Sequence, residues 1–361
     1  MKIAMVLYHY FPWGGLQRDF ARIAREAVAR GHEVDALVSD WQGDSLDGVT
    51  VRIVPVSGRS NHGRMASFAS TVTSMVGDYQ RVLGFNRLPG LDVYFAADTC
   101  FAAHVASKSA LVRCLPRYAT YLKLEQRVME KGGAHLLFLN DDQCGEYLAH
   151  YSLPASRYQV LPPGIEPDRR RPENHAELRT LIRDELGVTD NDSLILFLGS
   201  GFKVKGLDRA LEAFSCLPEN AVMMIVGNDD AVPYLRGLDP AVRQRVVVLG
   251  PRHDVPALMQ GADLLLHPAY RESAGMVLIE AVVAGLPVLT TDTCGYARYV
   301  KEAGAGEVMT SPFRQEALNR ALQEMVESVP GPWQAAGLKY AASPELYRLA
   351  QNVVDALEVS R

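Results

Sequence analysis

Residues 262–290 read ADLLLHPAYRESAGMVLIEAVVAGLPVLT, and this stretch decides the fold. DLLLH (263–267) is a short apolar run ended by Pro268, and PVLT (287–290) is another. Between them lies an apolar stretch of helical length that Gly285 closes. Strand, helix and strand, with breaker residues at each junction, mark a parallel unit covered on both faces of its sheet. Glu272 and Glu280 stand eight positions apart in it. A helix beginning near Ser273 puts Glu272 in the entry loop and Glu280 about two turns in.

The same alternation extends outward. LILFLG (194–199), VMMIVG (222–227) and VVVL (246–249) complete five strands of one Rossmann-like unit, and 313–358 reads as helical throughout. Upstream, KIAMVLY (2–8) and runs at 33–38, 51–56, 81–85, 92–96 and 135–139 read as strands, with helices over 16–30 and 64–77. The cluster LPPGIEPDRRRPEN (161–174) has the composition of a linker. The expectation is an α/β chain of two doubly wound Rossmann-like domains, 1–165 and 166–345, facing across a cleft. A last helix, 346–361, crosses back to the first. This is the GT-B architecture, and sheets of this kind bind ligands beyond their strand carboxyl ends.

Composition narrows the function. The chain has 361 residues, 48% hydrophobic and 22% charged, with net charge −5, an ordinary globular balance that gives no reason to expect nucleic acid. Residues 1–165 carry 17 basic against 15 acidic residues and 166–361 carry 20 against 27, so the first half suits an anionic surface better. Five cysteines without a Cys-x-x-Cys pair argue against a disulfide framework or a metal site and suit a reducing cytoplasm. No signal peptide and no membrane-spanning run is read.

Three motifs could carry chemistry. Pro12-Trp13-Gly14-Gly15 precedes a helix, where glycines let backbone approach a phosphate; it also suits a plain turn, and it is neither a dinucleotide fingerprint nor a P-loop. In GSGFKVKG (199–206), Lys205 is expected near a helix start, a poor place for a cation unless a bound phosphate compensates; Lys203 is read as solvated. In ESAGMVLIE (272–280), the amides around Gly275, Met276 and Val277 suit a diphosphate, and the two carboxylates suit sugar hydroxyls. Asp190-Asn191-Asp192 has Asp-x-Asp form but reads as a solvated turn, so no metal and no cofactor is expected. The segment 101–131 holds six basic residues against Glu125 and Glu130, interleaved with aromatic and aliphatic ones. It is either a docking face for anionic lipid or an amphipathic helix with a wet basic side.

These motifs resemble those of the retaining GT-B enzymes of glycosyltransferase family four. YFPWGGLQRDF (10–20), NHGR (61–64), GFNRLPGLDVYFAAD (84–98), LPPGI (161–165), ADLLLHPAYRESAG (262–275) and AGLPVLTTDTCGYA (284–297) resemble, more closely, the lipopolysaccharide core glucosyltransferases that modify inner-core heptose. The resemblance implies transfer of a hexose, glucose from UDP-glucose, in an α linkage. It implies that Glu280 holds the ribose of UDP, that Glu272 holds the migrating sugar, and that Lys205 neutralises the diphosphate. Gly14, Gly15 and the amides around Met276 would assist, with Arg169 a weaker phosphate candidate. Asp98 resembles the family's active-centre aspartate, although an Asp there also suits a helix N-cap. Asp19 could face the acceptor or simply favour the first turn of its helix. The membrane-bound glycolipid acceptor implies a peripheral enzyme at the cytoplasmic face of the inner membrane, docking through Arg113, Arg117, Tyr118, Tyr121, Lys123 and Arg127. One departure is Ser200, where many relatives carry Arg. A different UDP-hexose or N-acetylhexosamine donor, a UDP-sugar 2-epimerase of similar architecture, or a non-catalytic binding scaffold are the rival readings.

Overall fold

The computed structural model describes residues 1–12, 14–131, 133–272 and 274–359, so Trp13 and Ser273, which belong to two of the motifs above, lie outside the described residues. The chain divides into two compact units. One comprises Met1–Gly164 and the chain from Tyr347 onward; the other is Ile165–Leu346.

The first unit holds seven parallel strands: β1 (Lys2–Tyr10), β2 (Glu33–Trp41), β3 (Val49–Ile53), β4 (Arg81–Gly84), β5 (Val93–Ala96), β6 (His135–Phe138) and β7 (Tyr158–Val160). Their order is β3-β2-β1-β4-β5-β6-β7, so the direction of winding reverses between β1 and β4. The pleat sends alternate β1 side chains to opposite faces. Ile3, Met5 and Leu7 join one core with Phe20 and Ile23 of the helix Gly15–Ala29 and Val353 and Leu357 of the last helix, Leu349–Val359. Ala4 and Val6 join the other with Phe68 and Val72 of the helix Asn61–Met75.

The second unit holds β8 (Ser193–Leu198), β9 (Ala221–Val226), β10 (Val246–Gly250), β11 (Leu264–His267), β12 (Val288–Thr291) and β13 (Gly306–Met309). Their order is β10-β9-β8-β11-β12-β13, with the reversal between β8 and β11. Leu194 and Leu196 face one core, and Ile195 and Phe197 the other. Both units are Rossmann-like, and together they make the GT-B fold.

Three expectations need correction. The strands β7 and β13 escape the sequence reading, because both are short edge strands that are largely only half buried. The third strand ends at Ile53. The stretch 313–358 is three helices, Gln315–Ser328, Gly331–Tyr340 and Leu349–Val359. Pro330 and Pro344 fall in the two interruptions, where a missing N–H and a fixed φ stop helix propagation.

Candidate functional site

At the reversal point of the second sheet, the loops after β8 and β11 meet. Gly201 (φ 80°) opens the four-residue helix Phe202–Lys205 and Gly206 (φ 76°) ends it, a left-handed conformation that glycine adopts without strain. A side chain at Gly206 would collide with the carbonyl of Pro268, so the two loops can touch only because that position is glycine. Tyr270 N donates to Val204 O at 2.8 Å, fixing the contact. Lys205 is the last residue of this short helix, and Gly206 is also the N-cap of the helix Leu207–Ser215, so Lys205 lies just before a helix start, as the sequence suggests.

Lys205 Nζ forms an ion pair with Glu272, and their side chains are only 19% and 17% exposed. Glu272 is held by backbone on both sides: its N donates to Thr293 O, and Gly295 N donates to its carbonyl, each at 3.1 Å. Beneath it His267, the last residue of β11, is fully buried, with Nε2 3.5 Å from a Glu272 carboxylate oxygen. Burial, and secondarily the charge of Lys205, push the His267 pKa down to about 3. Burial also pushes the Lys205 ammonium below its ordinary value, an effect that a neighbouring carboxylate opposes.

The helix that follows is Met276–Ala284, with Gly275 (φ 84°) at its N-cap. Glu280 therefore sits one turn into the helix, not two. The amides of Met276 and Val277 have no acceptor within the helix, as in any first turn. Glu280 is 14% exposed, and Arg169 Nε lies 3.9 Å from its carboxylate. Arg169, only 19% exposed, belongs to the single 3-10 turn Pro167–Arg169 and also faces Asp168 at 3.6 Å. Structure thus joins Arg169 to Glu280, a pairing that the sequence, which suggested an exposed Arg-Arg-Arg run, did not disclose.

In the first unit Gly14 is the N-cap of the helix Gly15–Ala29. A Cβ at Gly14 would run into Gln17 and Phe11, whereas one at Gly15 would meet nothing within 4 Å. Asp19 pairs with Arg22, which in turn donates to Gly164 O at 2.6 Å. Asp98 follows β5, half exposed, with a carboxylate oxygen 3.4 Å from Arg87 Nη1. It is not an N-cap, since Cys100 holds that position for the helix Phe101–Ala106. Gln143 Nε2 donates to the Asp98 carbonyl at 2.9 Å and fixes its backbone.

Behind Asp98 lies a buried group that the sequence reading missed. Glu125, fully buried, pairs with Arg87 at 2.9 Å and accepts from Phe101 N at 2.7 Å, Ala102 N at 2.8 Å and Tyr151 Oη at 2.8 Å. Glu125 thus neutralises Arg87 and caps the N-terminus of the 101–106 helix. Its sequence context, a basic amphipathic stretch, gives no sign of this.

The segment 101–131 is not one helix. It forms Phe101–Ala106, Ala110–Arg113 and Pro116–Gln126, followed by a π-turn over Arg127–Lys131. Tyr118 stacks on Phe101 and His104, with centroids 6.0 and 6.1 Å away, and Tyr121 packs on Phe101 at 5.5 Å. Arg113 donates to Ala106 O at 2.5 Å and Lys108 O at 2.8 Å, closing the turn between two helices. Arg117, Lys123 and Arg127 are exposed. Leu111 and Leu115, two of the aliphatic residues interleaved with the basic ones, are 87% and 51% exposed.

Asp192 accepts from Thr189 N and Thr189 Oγ1, both at 2.7 Å, so Asp190–Asp192 is a closed turn. Among the described residues no group of three or more His, Cys, Asp or Glu could hold a metal ion. No described helix is long and apolar enough to cross a membrane. All five cysteines are free.

Two parallel-sheet units, one with a cation–carboxylate pair and a helix N-terminus at its reversal point, belong to the GT-B class of sugar-transferring enzymes. Residues 179–332 match the family model "Glycosyl transferases group 1" and residues 13–169 match "Glycosyltransferase Family 4". The chain is 42% identical to the lipopolysaccharide glucosyltransferase WaaG of Escherichia coli K12, over 99% of this chain and 98% of that protein. The crystal structure of WaaG, a glycosyltransferase involved in lipopolysaccharide biosynthesis, matches with a TM-score of 0.88 over 99% of this chain and 100% of that one. The Anabaena protein HepE, in complex with UDP and glucose, shares the fold at 18% identity and a TM-score of 0.74, over 99% of each chain. The chain belongs to the glycosyltransferase family that includes WaaG, and it is a glycosyltransferase.

Proposed function

We propose that this enzyme transfers glucose from UDP-glucose to a heptose of the lipopolysaccharide inner core, retaining configuration to form an α linkage. The observation that carries the reading is the Lys205–Glu272 pair, at the reversal point of the second sheet and one loop before the N-terminus of the helix Met276–Ala284. That combination offers a cation and backbone amides to a diphosphate and a carboxylate to sugar hydroxyls. The 42% identity to the lipopolysaccharide glucosyltransferase WaaG, over 99% of the chain, supports the acceptor class.

In this reading Glu280 holds the ribose, with Arg169 beside it. Glu272 exchanges its ion pair with Lys205 for hydroxyls of the migrating sugar, and Lys205 turns to the diphosphate. As the sugar–phosphate bond breaks, negative charge grows on the diphosphate; a preplaced ammonium and oriented amides stabilise that charge without reorganisation. Positioning of the two substrates supplies the remainder. No metal is required, since Lys205 and the amides supply the positive field. The first unit receives the acceptor, with Asp98 and Asp19 as its candidate contacts. Leu111 and Leu115, set among Arg113, Arg117, Lys123 and Arg127, dock the enzyme on the anionic cytoplasmic face of the inner membrane. A panel of UDP-sugars assayed with a defined heptose-terminated core tests the reading. It expects UDP-glucose to be the preferred donor; preference for UDP-galactose or a UDP-N-acetylhexosamine would reassign the donor.

A further inference from the structure

A second polar constellation stands at the carboxyl end of the first sheet. His9 and Asp40 are direct register partners on the adjacent strands β1 and β2, so their side chains leave the same face of the sheet side by side. His9 Nδ1 lies 2.7 Å from Asp40 Oδ1. Ser39 Oγ donates to Tyr8 O at 2.5 Å and lies 3.1 Å from the same ring nitrogen. The ring packs edge-on to Tyr8 at 4.1 Å. The backbone of His9 is fixed as well, because Gln17 Nε2, from the helix after the Gly-Gly turn, donates to its carbonyl at 3.0 Å. Every part of His9 is thus held except one atom. Nε2 has no hydrogen-bond partner among the described residues, and the side chain remains 43% exposed.

With Nδ1 engaged by the carboxylate, Nε2 is the ring nitrogen left to meet a ligand. β1 borders the reversal point of this sheet, where ligands of such folds bind. The ligand class follows from charge. A carboxylate directly behind the ring repels a phosphate, whereas a neutral hydroxyl, which both donates and accepts, meets no such repulsion and suits Nε2.

We propose that His9 binds the acceptor: its Nε2 forms a hydrogen bond with a hydroxyl of the acceptor sugar, and Asp40 is the positioning residue that fixes the ring. This rests on the reading of the first unit as the acceptor-binding one. Steady-state kinetics of His9→Ala, His9→Gln and Asp40→Ala, with donor and acceptor varied separately, test it. Loss of one such hydrogen bond corresponds to about a tenfold rise in acceptor KM. Donor KM and the affinity for UDP stay unchanged. His9→Gln, whose amide reaches the place of Nε2, restores most of the acceptor affinity, and Asp40→Ala shifts acceptor KM in the same direction as His9→Ala. An unchanged acceptor KM in His9→Ala, or a donor KM that rises equally, overturns the proposal while leaving the enzyme reading intact. A parent chain that releases no UDP from any UDP-sugar overturns both.

Discussion

Lys205 and Glu272 pair across the gap between the β8 and β11 loops, each mostly withdrawn from water. Removing one partner strands the other in a poorly solvated place, whereas removing both strands neither. Lys205→Ala is therefore expected to cost about 1–3 kcal/mol in unfolding free energy. The double variant Lys205→Ala/Glu272→Ala should recover part of it. Urea unfolding of the four proteins of this cycle measures the coupling; additive losses would show that the pair has no energetic meaning.

The two carboxylates of the 272–280 motif should separate in kinetics. A ribose contact is equal in ground and transition states, so Glu280→Ala should mainly raise the KM for the UDP-sugar. A contact to the migrating sugar strengthens as charge develops, so Glu272→Ala should mainly lower kcat. Initial-rate measurements over donor concentration decide between this pattern and its reverse.

Gly14 and Gly15 divide steric need from ligand approach. Gly14→Ala drives a methyl into Gln17 and Phe11 and should lower the melting temperature. Gly15 faces open space in the first turn of a helix, where alanine is intrinsically favoured by roughly 1 kcal/mol. Gly15→Ala should therefore leave the melting temperature unchanged or raise it. If backbone there lies close to a substrate, turnover falls all the same. Unchanged turnover with full stability would show that the turn is only a turn.

What the sequence disclosed follows from burial. Eleven strands were legible because central parallel strands such as LLLH and LILFL are nearly continuous apolar runs, whereas β7 (Tyr158–Val160) and β13 (Gly306–Met309) lack that signal. Lys205, Glu272 and Glu280 were legible because glycines mark their turns. Their partners were not. Arg169 meets Glu280, and Glu125 meets Arg87 and two helix amides, through tertiary contacts between residues up to 111 positions apart that no local period encodes. His9 and Asp40 lie 31 positions apart and are joined only by the register of β1 on β2. His267 shows only as a strand-end residue until its complete burial is seen.

His267 ties stability to pH. Its folded pKa, about 3, lies below the unfolded value of 6.5. Between those values the unfolded chain binds a proton that the native chain does not, so stability falls as pH drops from 6.5 toward 3. The slope from this one group approaches about 1.4 kcal/mol per pH unit. His267→Gln should lose about 1 kcal/mol less than the parent between pH 6.5 and 5.5 in urea titrations. Equal losses would mean that His267 accepts a proton in the fold.

Membrane attachment should depend on exposed groups alone. Arg113 braces a turn, so its replacement would disturb structure as well as charge. Arg117→Gln, Lys123→Gln and Arg127→Gln together with Leu111→Ser should abolish co-sedimentation with anionic vesicles and leave UDP affinity unchanged. Each basic group contributes on the order of 1 kcal/mol near such a surface, weakening with salt. Equal binding of the parent to neutral vesicles would contradict this mode of attachment.

Retaining hexosyl transfer to heptose without a metal leaves its mark on the product. Its most direct test is the anomeric proton coupling of the product formed from UDP-glucose and a heptose-terminated core oligosaccharide in excess chelator. One new α-linked glucose on heptose is the expected product. A β-linked product, no glycosylated heptose, or product only after divalent metal is restored would contradict it.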